Sequence, residues 1–329
     1  MFTKKISFVA AMLLLAVTAW AQGPNNTGRY YQNANGKKGR SLKTALHAII
    51  KTSHGVGYNT LYDAYFDTDK RNDGKLWDMY SNTTNYRLGK DECHGNYSRE
   101  GDNYNREHSF PRSWFGGKHE PMNSDVNHIY PTDSWINGQR GSLPYGEVDT
   151  NRSYKGSKNN FSKWGDCKRS IGYSGDVFEP NDEYKGDLAR TYFYMATCYE
   201  DKIAGWNSPM LNHDKYNAYT SWAIDMLLRW AKEDPVSQKE IDRNNAAYKW
   251  QGNRNPFIDY PGLEQYVWGS RVNDTFSYDN YSKPSDNTGI DEIIYNENGN
   301  GKTYDIYGRE VGEGYKGIVI KNGKKYIAN

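Results

Sequence analysis

The chain has 329 residues, 42 Lys and Arg against 40 Asp and Glu, and 15% aromatic residues, among them 29 tyrosines. This length allows one sizeable core with a small appendage. A net charge of only +2 excludes nucleic-acid binding through overall positive charge, so any phosphate-binding basic residues must be gathered locally. Three cysteines, Cys93, Cys167 and Cys198, allow at most one disulfide, and none has the spacing of a zinc site.

Residues 1–21 read as a signal peptide. Lys4 and Lys5 form a basic start, Phe8 to Val17 an apolar core, and Ala19-Trp20-Ala21 a small-x-small cleavage site. The apolar run is too short to span a bilayer, and no later segment approaches one, so a soluble product without stable membrane insertion is expected. Without the two leader lysines, 40 basic residues face 40 acidic ones.

Residues 22–40 are Gly- and Asn-rich. Ser41 then caps a helix carrying Leu42, Ala45, Leu46 and Ile49 on one face. Tyr58 to Phe66 reads as a second helix, Asp73-Gly74 as a turn, Leu76 to Tyr80 as a short strand, and Arg87 to Tyr104 as a polar loop. Two polar runs set among aromatic residues follow: Asn105 to Phe115, then Ser124 to Arg140. Val126 to Tyr130 alternates as a strand does, and Pro131 is expected to stop it. Thr132 or Asp133 is suited to cap a helix running to Arg140. Strand, loop, strand, helix makes a ββα unit, with His108 ending the first strand and Asn137 on the helix.

Residues 141–185 read as a long Gly-, Ser-, Asn- and Lys-rich loop region, with Lys155, Lys158 and Lys163 at a nucleic-acid-binding rim. Helices are expected over Asp187 to Ile203, Tyr219 to Lys232, Gln238 to Trp250 after the Ser237 cap, and Pro261 to Trp268. Residues 281–329 change character. A linker-like stretch, Ser282 to Gly289, leads to strand patterns over Thr303 to Val311 and Lys316 to Tyr326, with Asn322-Gly323 as a hairpin turn. The fold class is α+β: a mostly helical domain over 22–280, built around the ββα unit, and a small β tail.

The order of motifs resembles the endonuclease I family, secreted nucleases of the His-Me finger (ββα-metal) group. The matching residues are Glu107-His108, then Asp125 to Pro131, then Asn137-Gly138-Gln139-Arg140. Gly186 to Met195 and Arg254 to Asp259 extend the resemblance, which covers roughly residues 40 to 270. It implies that His108 takes the proton from an attacking water. It implies that Glu107 and Asn137, as oxygen ligands, hold Mg²⁺, with Mn²⁺ or Ca²⁺ as alternatives.

An arginine should grip the phosphate. Arg140 and Arg190 are the leading candidates, with Arg106 and Arg112 behind them. Asp187 and Arg190, three residues apart, would also make an ordinary helix salt bridge, and Asp125 and His128 would brace the finger.

The resemblance implies a secreted monomer that cuts DNA, with RNA a further substrate, leaving 5′-phosphate ends. The tail resembles a type IX secretion sorting domain, so the secretion machinery is an expected partner. A zinc hydrolase using His119 and His128 is the rival enzyme class, but Asn123 stands where the helical zinc-protease motif needs its second histidine. A non-catalytic binding module is the other rival, separated from a nuclease by whether His108 matters for turnover.

Overall fold

The computed structural model describes residues 23–51, 54–281, 303–305, 310–312, 317–321 and 324–328. At its centre lies helix α4 (Lys185–Cys198), buried at every residue. Against it pack α1 (Gly39–Ile50), α5 (Ser221–Glu233) and the short α7 (Pro256–Asp259). On α5 the buried residues Ala223, Met226, Leu227 and Trp230 recur at three- and four-residue spacing, which turns one stripe inward. Helix α6 (Gln238–Gln251) starts on a capping box. Ser237 Oγ accepts from the Glu240 N–H, and the Glu240 carboxylate accepts from the Ser237 N–H. It packs on α2 (Leu61–Thr68).

Tyrosine is a main building block of this core, and a buried phenol must find a partner for its hydroxyl. Tyr194 and Tyr199 both donate to Asp125 Oδ2, at 2.7 and 2.6 Å, and Tyr219 donates to the Tyr192 carbonyl at 2.7 Å. Asp125 is thereby a brace at the helical core.

Strands β1 (Tyr104–His108) and β2 (Ile129–Asp133) form an antiparallel pair, with Tyr104 opposite Asp133 and His108 opposite Ile129. Helix α3 (Ser134–Arg140) follows directly. Three local readings change here. Val126 to His128 is a 3₁₀ turn rather than strand, because Asp125 Oδ1 accepts the Asn127 N–H and curls the chain. Pro131 lies inside β2, opposite Arg106. In a two-stranded ribbon each strand keeps an unpaired edge, where a missing N–H removes no ladder bond. Leu76 to Tyr80 forms no strand; the Asp78 carboxylate takes the Tyr80 N–H at 2.9 Å instead.

Residues 141–185 are not simply loop. They contain a three-stranded antiparallel sheet of β3 (Tyr154–Gly156), β4 (Lys163–Asp166) and β5 (Asp176–Glu179). Cross-strand partners Trp164 and Phe178 stack 6.2 Å apart, which supplies the apolar contact that its Gly- and Lys-rich sequence conceals. Pro261 starts no helix. Pro256 occupies the first turn of α7, capped by Asn255, and α8 is Glu264–Val267.

The chain divides into two compact units at Pro284/Ser285. In the second, β6 (Thr303–Asp305), β7 (Glu310–Val311), β8 (Gly317–Lys321) and β9 (Lys324–Ala328) form one sheet in the order β7-β6-β8-β9. Lys321 pairs with Lys324; Asn322 and Gly323, expected to turn between them, lie outside the described residues, as do residues 1–21, read as a signal peptide, and Ser282 to Gly289, read as a linker. Among the described residues no helix is long and apolar enough to cross a membrane.

Candidate active site

The ribbon and α3 converge on Glu107, His108 and Asn137. Asp133 anchors the start of α3. Its Oδ1 accepts the Ile136 N–H at 2.9 Å, and its Oδ2 accepts from the Tyr86 hydroxyl and the Gly101 N–H. One turn on, the half-buried Asn137 directs its amide nitrogen at the Arg106 carbonyl, 3.5 Å away, on the residue before Glu107. The amide oxygen is thereby left on the opposite side. Gly141, at φ +52°, lets the chain leave the helix.

Glu107 is buried, and its Oε1 accepts from the Tyr80 hydroxyl at 2.8 Å and from Arg140 at 2.5 Å. Its Oε2 accepts no hydrogen bond from the described residues. Burial raises the carboxyl's pKa, against the pull of the Arg140 charge and the Tyr80 hydrogen bond.

Arg140 is fully buried. Besides Glu107 it donates to the carbonyls of His108 (2.8 Å), Ser109 (2.7 Å) and Leu143 (3.2 Å), and it lies over the Tyr145 ring. Tyr145 in turn shares a hydrogen bond with Tyr80. The guanidinium fork therefore clamps three successive residues, 107 to 109, and turns inward, away from any phosphate approaching from solvent. Arg190 is likewise engaged. It pairs with Glu240 (2.6 Å), stands 3.5 Å from Asp187, and donates to the Asp234 carbonyl. It joins α4 to α5 and α6 and makes no hydrogen bond to Glu107, His108 or Asn137.

His108 ends β1. Its Nε2 lies 3.1 Å from the Asn123 carbonyl, an acceptor only, so Nε2 carries the proton and Nδ1 keeps a free lone pair. The ring stacks on Tyr58 and lies edge-on to His128, 5.6 Å away. Burial, then His128 and then Arg112, hold its pKa well below the usual histidine value, so the ring is neutral at pH 7. His128 is fully buried, with Nε2 on the Met122 carbonyl at 2.6 Å.

Two further arginines border this histidine. Arg106 is sandwiched between the rings of Tyr58 (3.8 Å) and Tyr62 (4.3 Å) and donates to the Tyr58 carbonyl. Arg112, half-buried, lies 5.6 Å from the Tyr58 ring centre, and its guanidinium makes no hydrogen bond or ion pair among the described residues. Of the four arginines considered, Arg112 alone has its donors uncommitted.

Sequence spacing does not reveal Tyr58, Tyr80, Tyr145 or Asn123. They come from four separate segments and act through a ring, two hydroxyls and a backbone carbonyl, none of which leaves a motif. The three cysteines are free thiols, and Cys167 and Cys198 are buried.

Comparison with known proteins identifies the family. The family model for endonuclease I matches residues 38–262. The chain belongs to the endonuclease I family. An extracellular ribonuclease of Bacillus subtilis (strain 168) is 36% identical over 262 residues, taking in 78% of this chain and 83% of that protein. An extracellular ribonuclease of Bacillus amyloliquefaciens is 34% identical over 250 residues, 74% and 79% of the two chains. An extracellular deoxyribonuclease of Aeromonas hydrophila is 25% identical over 139 residues, 42% and 50% of the two. This member of the endonuclease I family is a nuclease, and its Glu107, His108 and Asn137 lie within the matched region.

Proposed function

We propose that the chain is an exported, metal-assisted, sequence-nonspecific endonuclease that hydrolyses DNA, and RNA as well, to 5′-phosphate products, with the ββα unit as a His-Me finger. The observation that carries the reading is the neutral His108, its Nε2 proton held on a carbonyl and its Nδ1 lone pair free, beside a clamped carboxylate. Such a ring can take a proton from water attacking phosphorus at neutral pH.

The donor set suits Mg²⁺, with Mn²⁺ or Ca²⁺ in its place. Glu107 Oε2 lacks a hydrogen-bond partner among the described residues, and Asn137 Oδ1 faces away from its own amide's partner. These are two hard oxygens, and solvent and phosphate oxygens would complete the shell. Bound there, the ion would supply charge neutralisation at the phosphoryl group and the leaving oxygen. Arg140 keeps Glu107 aimed. Arg112 grips the phosphate, in place of Arg140 and Arg190. Contacts made mainly to phosphates carry no direct sequence code, which accounts for nonspecific cutting.

Export rests on the leader pattern of residues 1–21 and on relatives whose names are extracellular. Substrate breadth rests on relatives named for ribonuclease and for deoxyribonuclease activity. The tail acts as a sorting signal in this reading, so its deletion should keep the enzyme out of the medium.

The test is cleavage of supercoiled plasmid and of a long RNA by purified protein, with Mg²⁺ and with EDTA, beside His108→Ala. Metal-dependent cutting lost in the variant supports the reading. Undiminished cutting by the variant refutes His108 as base.

A further inference from the structure

The proton on His108 Nε2 is held by one carbonyl, and that carbonyl belongs to a turn whose side chains are tied together by one carboxylate. Residues 119–124 fold so that two successive carbonyls point inward. The Met122 carbonyl receives His128 Nε2, and the Asn123 carbonyl receives His108 Nε2. On the outside of the turn, the two carboxylate oxygens of Glu120 each take a different donor. Oε1 accepts from Asn123 Nδ2 at 3.0 Å, and Oε2 accepts from Ser124 Oγ at 2.5 Å. Backbone bonds from Asn123 N to the His119 carbonyl and from Ser124 N to the Pro121 carbonyl complete it.

Asn123 Oδ1 is buried without a partner. The side chain of the residue whose carbonyl faces His108 is therefore tied down through its bond to Glu120 alone. The neighbouring segment leaves no slack. A Cβ on Gly55, which sits at φ +60°, would come 2.5 Å from Ser124 Oγ and 3.3 Å from Glu120 Oε2. The Val56 N–H bonds the Ser124 carbonyl, and two residues later Tyr58 stacks on His108.

We infer that Glu120 is a positioning residue for the reaction: by closing this turn it holds the Asn123 carbonyl against His108 Nε2 and so fixes the tautomer that leaves Nδ1 as the base. The inference rests on the reading of His108 as base. Glu120 is exposed and touches no reacting atom, and it stands outside the motifs that carry the family resemblance. Its effect passes through two hydrogen bonds and one carbonyl, where a displacement of about 1 Å at the reacting group costs on the order of a hundredfold in rate.

The test uses the full chain with Glu120→Ala, Glu120→Gln and Ser124→Ala, assayed for kcat and KM on plasmid across pH, with ¹⁵N NMR of the histidine side chains. For Glu120→Ala the expected result is a roughly tenfold to hundredfold fall in kcat with KM nearly unchanged, and a His108 spectrum showing both tautomers. Gln retains an acceptor and should restore most of the rate, and Ser124→Ala should give a smaller shift in the same direction.

Unchanged rate and tautomer in Glu120→Ala would overturn the inference. So would a fall in rate with the tautomer unmoved. Should Glu120→Ala fail to fold, the absence of any kcat or tautomer change in Ser124→Ala would overturn it equally. Cleavage by His108→Ala at the wild-type rate would instead remove the reading beneath it, whatever the Glu120 variants do.

Discussion

The two sides of β1 treat arginine in opposite ways. On the inner side, Arg140 meets Glu107, two phenols and three carbonyls, and nothing of it reaches solvent. On the outer side, Arg112 touches only the edge of an aromatic stack and keeps its donors free. The same residue type thus serves as structure on one face and keeps its donors free on the other. Charge density in a motif does not tell which; the number of acceptors already in place does.

Breaking the link between the faces should have the largest effect. The His108 carbonyl takes Arg140 and its ring stacks on Tyr58, and His108→Ala should cut kcat by about 10²- to 10⁴-fold, read on plasmid with protein of unchanged circular dichroism. Next comes the inner face. Arg140→Met strands a buried carboxylate, which should destabilise the fold by about 3–5 kcal/mol. A thermal melt would register this as a Tm lower by on the order of 10 °C, with activity lost even below that temperature.

The outer face should separate cleanly from stability. Arg112→Ala should lower kcat/KM on the order of ten- to a hundredfold, as expected for a charge-assisted phosphate contact, while Tm stays within a degree or so. A fall in Tm like that of Arg140→Met would erase the distinction drawn here.

The pH profile sharpens it further. His108 is the base only when neutral, and its folded pKa lies well below 6.5. The rate should therefore hold level as pH falls from 8 past 6.5, and drop only as pH falls through the depressed value. Arg112 is one of the charges opposing protonation, so Arg112→Ala should move that limb upward.

The smallest effects belong to the proposed rim. Lys163 is tied to Glu179 at 3.1 Å, whereas Lys155 and Lys158 have no ion pair among the described residues. Neutralising Lys155 and Lys158 should flatten the salt dependence of DNA binding by about 0.7–0.9 for each phosphate the protein ceases to neutralise, and Lys163→Ala should do less.

What was legible in the sequence follows the same division. The ββα unit that puts His108 at the end of a strand and Asn137 on a helix was legible from local pattern, and the resemblance to the endonuclease I family is what singled out Glu107, His108 and Asn137 within it. The caps at Asp133 and Ser237 were equally plain, because capping is a property of a few neighbouring residues. The role of each arginine was not legible, since it depends on acceptors and rings from distant segments, Tyr80, Tyr145 and Glu240 among them, brought in by the tertiary fold. The β3–β5 sheet was hidden for a related reason. Its strands are only three or four residues long and rich in Gly and Lys, and their stability lies in the Trp164–Phe178 contact across strands rather than in any one segment's propensity. Val126 to His128 misled because a single Asx bond from Asp125 outweighed three residues of alternation.

The cluster around Glu107 also sets when the enzyme can exist. Its carboxylate is held by Tyr80 and Arg140, Arg140 lies on Tyr145, and Tyr192 reaches back to the Ser109 carbonyl. The last of these contacts closes a loop of 83 residues, which forms late because chain entropy opposes it. A chain still emerging from the ribosome has the histidine but not these surroundings. On the proposed mechanism, synthesis past Tyr192 is therefore a condition for cutting.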